Sequence, residues 1–88
     1  MKLKYEFIVR EIAGEYVMVP MGAAALEFSG MASTNAVGAF ICEKLKQETT
    51  PEAVLDSICR EFEIDRATAQ ADLNAFLDDM RKVKLLDE

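Results

Sequence analysis

Two runs rich in β-branched and aromatic residues, Phe7-Ile8-Val9-Arg10-Glu11-Ile12 and Tyr16-Val17-Met18-Val19, are separated by little more than Ala13-Gly14. Gly14 can supply the positive φ that a tight turn needs, so the stretch from Tyr5 to Pro20 reads as a β-hairpin. This feature constrains everything that follows it. A lone hairpin is at best marginal in water, so its apolar face must be buried against a third strand or a helix. Pro20 cannot donate to a ladder and marks either the end of the second strand or an unpaired edge position.

The rest of the chain supplies those partners. Gly22, Gly30 and the alanines at 23–25 blur any period, yet Leu26, Phe28 and Met31 can form a third short strand within 25–32. Ser33, Thr34 and Asn35 are all capable helix N-caps. Beyond them Val37, Phe40, Ile41 and Leu45 recur at helical spacing as far as Lys46. A second helix opens with Thr50 as cap, Pro51 at the first helical position and Glu52 complementing the dipole. Its apolar stripe is Val54, Leu55, Ile58, Cys59 and Phe62. A third follows the capping residue Asp65 and carries Ala69, Leu73, Phe76, Leu77, Met80 and Val83. Strands first and helices afterwards, β-β-β-α-α-α, predict an α+β fold in which three helices pack on one face of a three-stranded antiparallel sheet. Eighty-eight residues leave room for one hydrophobic core, so 1–88 is read as a single domain.

Several function classes fall away on composition. No run approaches the roughly twenty apolar residues of a membrane-spanning helix, so no membrane association is expected. Sixteen acidic against ten basic residues give a net charge of −6, the wrong sign for neutralising phosphates, so no nucleic-acid partner is expected. The first segment lacks the apolar core of a signal peptide, and two cysteines are too few for a disulfide scaffold, which points to the cytoplasm. There is no histidine, which removes the commonest general base and zinc ligand. Cys42 and Cys59 form no C-x-x-C pair, and the glycines at 14, 22, 30 and 38 fit no phosphate-binding loop. Carboxylate pairs such as Asp78-Asp79, and the group Glu61, Glu63 and Asp65, sit on polar helix faces or ends and read as solvated surface. No catalytic site, metal or cofactor is expected.

The hairpin string, with Glu15-Tyr16-Val17-Met18-Val19-Pro20 as its second half, resembles the opening of the pyrroloquinoline-quinone biosynthesis protein D (PqqD) family. Thr34-Asn35-Ala36-Val37-Gly38-Ala39-Phe40-Ile41-Cys42-Glu43-Lys44-Leu45 is similar to that family's Leu-Asn-x-x-Gly-Ala-x-Ile-Trp-x-x-Leu segment. Thr49-Thr50-Pro51-Glu52-Ala53-Val54, the exit Glu61-Phe62-Glu63-Ile64-Asp65, the run Ala71-Asp72-Leu73-Asn74-Ala75-Phe76-Leu77 and the tail Leu85-Leu86 extend the likeness over nearly the whole chain. Thr34 and Cys42 depart from it, standing where the family usually has leucine and tryptophan.

The resemblance implies a winged-helix-like fold and a peptide-recognition domain without catalytic activity. Such domains bind the leader segment of a ribosomally made precursor peptide and present it to a modifying enzyme, often a radical S-adenosylmethionine (radical SAM) protein. The leader adds as a strand beside the third strand, in the groove toward the third helix. The physics allows this, because an edge strand offers unpaired backbone groups that a visiting chain can complete. Segment 26–31 is short, glycine-flanked and singly charged, so Leu26, Phe28 and Met31 are expected peptide contacts. On the third helix the apolar stripe is flanked on one side by Asp72, Ala75, Asp79 and Val83 and on the other by Gln70, Asn74, Leu77 and Arg81. The sequence does not decide which flank faces the groove, although Ala75 would let a peptide approach closely beside Phe76. The expected helix contacts are accordingly Asp72, Ala75, Phe76, Asp79 and Met80.

Two other readings use the same fold. A general interaction or dimerisation module would pair its open edge with a second copy, giving a homodimer. A winged-helix regulator would need a basic recognition helix, yet residues 66–80 hold one Arg against three Asp.

Overall fold

The computed structural model describes residues 1–22 and 32–88. Strand β1 (Lys2–Leu3) is followed by β2 (Phe7–Ile12) and β3 (Glu15–Pro20). β2 and β3 pair antiparallel from Phe7↔Pro20 to Ile12↔Glu15, so only Ala13 and Gly14 form the turn. Both have positive φ, +53° and +83°, as a turn matching the twist of its strands demands. The alanine therefore shares a conformation that the sequence suggested only for the glycine. Pro20 is the last residue of β3, where its missing N–H does least harm.

β4 (Ala32–Thr34) pairs with β3 through Met18↔Ala32, Val17↔Ser33 and Tyr16↔Thr34, so the sheet order is β2-β3-β4 with β3 central. Of the strand expected within 25–32, only Ala32 is among the described residues, and it lies in β4. Leu26, Phe28 and Met31 lie outside the described residues.

Each helix opens on a side-chain cap. In α1 (Ala36–Lys44), Asn35 Oδ1 accepts from the Gly38 N–H at 2.8 Å. Thr50 caps α2 (Pro51–Glu61) through the Ala53 N–H, and Asp65 caps α3 (Arg66–Lys82) through the Thr68 N–H. α1 stops two residues short of the expected Lys46, and α3 ends at Lys82, with Val83 as its cap. Lys84 then takes φ +60°, its N–H donating to the Arg81 carbonyl while the Leu85 N–H donates to that of Met80. This is a Schellman ending built without glycine, sealed by the buried pair Met80 and Leu85. Val83, read from the sequence as the last apolar residue of the third helix, is 46% exposed.

The ending turns the chain into β5 (Leu86–Asp87), which pairs antiparallel with β1, Leu3 opposite Leu86. This two-stranded sheet has no counterpart in the sequence reading. It seats Leu3 and Leu86 in the core with Phe7 and Met18 from the hairpin, Ile41, Cys42 and Leu45 from α1 and its cap, Leu55 and Ile58 from α2, and Leu73 and Leu77 from α3. Each fully buried aliphatic side chain contributes about 1.5–3 kcal/mol. Cys42 is 0% exposed.

Candidate functional site

β4 is an edge strand: it pairs with β3 on one side, and among the described residues no strand pairs with the other. Beside it lies an open cleft of about 170 Å³. Thr34 at the end of β4, the cap Asn35, and Val37 and Gly38 of α1 form one wall. Asp72, Ala75, Phe76 and Asp79 of α3 form the other. Phe76, 9% exposed, is rooted in the core, whereas Ala75 and Asp79 are exposed and Asp72 half-buried.

The helical period explains the α3 wall. Asp72, Ala75, Phe76 and Asp79 stand at i, i+3, i+4 and i+7, neighbours on one surface. The cleft therefore opens on the Asp72–Ala75–Asp79 flank, whereas Leu77 of the opposite flank is buried in the core. Asp72 and Asp79 are two turns apart, about 10 Å along the axis. Neither enters an ion pair among the described residues, so this wall carries two free negative charges. On the other wall the Asn35 side-chain oxygen is engaged in capping α1, which fixes the rim of the cleft rather than leaving that oxygen free.

Of the residues singled out from the sequence, Asp72, Ala75, Phe76 and Asp79 are thus brought together. Met80, 9% exposed, packs into the core beside Leu85 and does not line the cleft. Thr34, Asn35, Val37 and Gly38 were not among the expected contacts. Their signal was present in Gly38, a glycine inside a helix where no turn requires one, which marks a close approach.

The acidic pairs are surface groups. Asp78 holds Arg81 at 3.1 Å, Asp65 is committed to its cap, and Glu61 and Glu63 are exposed. Among the described residues no three His, Cys, Asp or Glu side chains cluster as metal ligands would.

Two solved structures share this architecture. TbiB1, solved in complex with the TbiA(beta) leader peptide, aligns with a TM-score of 0.69 and 29% identity over 99% of this chain and 95% of its own. A lasso peptide synthetase B1, complexed with the leader peptide, aligns with a TM-score of 0.64 and 19% identity over 96% of this chain and 93% of its own, a likeness of fold. No curated protein matches the sequence. The family described as coenzyme PQQ synthesis protein D (PqqD) matches residues 15–86, a span that contains β3 and both walls of the cleft. This chain belongs to the PqqD family.

Proposed function

We propose that this chain is a non-catalytic adaptor that binds the leader segment of a ribosomally synthesised precursor peptide and presents it to a separate modifying enzyme. The observation that carries the reading is the outer edge of β4, unpaired among the described residues, opening onto the α3 cleft. The leader enters as a fourth strand of that sheet. Its backbone completes the outer N–H and C=O groups of β4, and its alternate side chains point toward Ala75 and Phe76. Backbone pairing supplies affinity without sequence preference, so selectivity falls to the cleft walls. TbiB1, which shares this fold, is solved in complex with a leader peptide, and that supports a leader segment as the ligand. In this reading 1–88 acts as one recognition domain, with Leu26, Phe28 and Met31 as further contacts and Met80 supporting Phe76 from below. The enzyme it serves is a radical SAM protein, and the setting is the cytoplasm. No helix among the described residues is long and apolar enough to cross a membrane.

A peptide strand with one or two side-chain anchors reaches a Kd of about 1 μM, or roughly −8 kcal/mol. The test is titration of isotope-labelled protein with leader peptides encoded beside its gene, following backbone amide shifts. Shifts at Thr34, Gly38, Ala75 and Asp79 with micromolar or tighter affinity are expected. Shifts confined to the β2–β3 hairpin would overturn the assignment. Self-pairing through β4 is the competing use of the edge, and it predicts a dimer in sedimentation that added leader does not dissociate.

A further inference from the structure

A second and larger cleft lies on a different face of α1. Burial falls along the inner face of the hairpin from Phe7, 5% exposed, through half-buried Val9 to exposed Glu11. The hairpin therefore overhangs the helices and leaves a cleft of about 490 Å³ beneath its outer half. Tyr16, Phe40 and Phe62 form its apolar floor, and Glu11, Glu43 and Glu61 stand around them. Phe40 and Phe62 meet edge to face at 5.4 Å, a fixed aromatic platform contributed by two helices.

We infer that this hairpin–α1–α2 cleft docks the modifying enzyme through an apolar side chain flanked by Lys or Arg. The inference rests on the adaptor reading above and adds a second, separate contact. Charge complementarity selects the occupant. Among the described residues Glu11 and Glu61 enter no ion pair, and Glu43 pairs only with its exposed neighbour Lys46, at 3.2 Å. Lys44 Nζ of this chain already lies 5.1 Å from the Phe40 ring centre. An apolar floor inside a charged rim is the usual anatomy of a protein contact, with burial giving strength and the rim giving orientation and encounter rate. A neutral or acidic segment would leave these carboxylates facing apolar or like-charged surface.

Position gives the cleft its use. α1 turns Val37 and Gly38 toward the leader cleft, but Ala36, Ala39, Phe40 and Glu43 toward this one. Among the described residues the two grooves share none, so leader and enzyme can be held at once, as a presenting adaptor requires.

The test uses two amidated hexapeptides, Lys-Arg-Leu-Phe-Arg-Lys and its acidic counterpart Glu-Glu-Leu-Phe-Glu-Glu, titrated into labelled protein with a leader peptide as third ligand. The basic peptide is expected to shift the amides of Glu11, Tyr16, Phe40 and Phe62, increasingly as salt is lowered, and the acidic one to leave them unmoved. Glu11→Gln and Glu61→Gln are each expected to weaken the basic peptide by about two- to fivefold, as for loss of one exposed charge pair, with unchanged melting. Equal binding of both peptides, or shifts on these residues on concentrating the protein alone, would overturn the inference. Failure of the leader to bind is read at Ala75 and Asp79 and strikes the adaptor reading instead.

Discussion

Gly38 of α1 approaches Thr34 of β4 so closely that a methyl group on its Cα would overlap the Thr34 hydroxyl oxygen and stand 3.1 Å from the Thr34 Cβ. The contact sets the spacing of the wall on which the candidate cleft is built, since both residues line it. It also gives a physical reason for glycine in the Asn-x-x-Gly-Ala segment. The residue is chosen for room, not for backbone freedom.

Gly38→Ala is therefore expected to destabilise the fold. Overpacking costs about 1–3 kcal/mol, partly offset by the roughly 1 kcal/mol that alanine gains over glycine inside a helix. With Thr34→Ala already in place the overlapping hydroxyl is gone, and the same substitution should become near neutral. Denaturant unfolding of the two single variants and the double variant measures this coupling. Equal penalties in both backgrounds would refute the close approach as the cause.

The hairpin turn carries a cost that can be removed. Ala13 sits at φ +53° next to Gly14, a position where a left-handed alanine costs about 1 kcal/mol. Ala13→Asn would supply the Asn-Gly pair that such turns favour. An increase in stability of about 0.5–1 kcal/mol is expected, with no change in leader affinity because neither turn residue lines the α3 cleft. No rise in melting temperature would mean that the turn is not strained.

Acid should loosen the start of α3 before the core. Asp65 accepts hydrogen bonds from the Thr68 hydroxyl and from the Thr68 N–H, and these hold its carboxyl below the usual value of 3.8. A depressed folded pKa means that the cap contributes fully above that usual value and is lost as pH falls through the lowered one. Asp65→Asn keeps a capping side chain but cannot titrate, so its stability should vary less with pH below about 4. Parallel curves for variant and parent over that range would show that Asp65 does not carry the acid response.

Cys42 should be inert as a thiol. It is 0% exposed, and burial, with Glu43 adding and Lys46 opposing, pushes its pKa up to about 11. A thiol reagent at neutral pH is expected to label half-buried Cys59 first and Cys42 only on unfolding. Cys42→Trp, which restores the family's usual residue, should cost about 1–3 kcal/mol here because the neighbours have closed around sulfur. Equal labelling rates in the native state would contradict the burial.

What was legible in the sequence was local. Thr50-Pro51 and Asp65 announce their helices because a cap is a contact within three residues. Ser33, Thr34 and Asn35 could not be separated, because the choice depended on the Gly38 N–H meeting Asn35 and on β3 drawing Thr34 into a strand. β4 holds an alanine and a serine and owes its form to pairing with Tyr16, Val17 and Met18. The β1–β5 pair joins two-residue strands at opposite ends of the chain, too short to show any period. The candidate cleft divides along the same line. Its α3 wall follows from helical spacing alone, whereas Thr34 and Gly38 become a wall only once β4 is in place.

That division suggests where leader binding can be blocked without harming the fold. Ala75 is exposed on α3 and lines the cleft between Asp72 and Asp79. Ala75→Arg would fill the space beside Phe76 and set a guanidinium between two carboxylates, while the helix itself tolerates arginine nearly as well as alanine. Stability should therefore stay within about 0.5 kcal/mol of the parent, as for most surface substitutions. Leader affinity should fall by about tenfold or more, the equivalent of losing roughly 1.4 kcal/mol. Lys44→Ala, exposed at the far end of α1 and outside this cleft, should leave affinity unchanged. Calorimetric titration of both variants with one leader peptide separates the outcomes. Retained affinity in Ala75→Arg would move the binding site away from α3, and equal losses in the two variants would point to a global change in the fold.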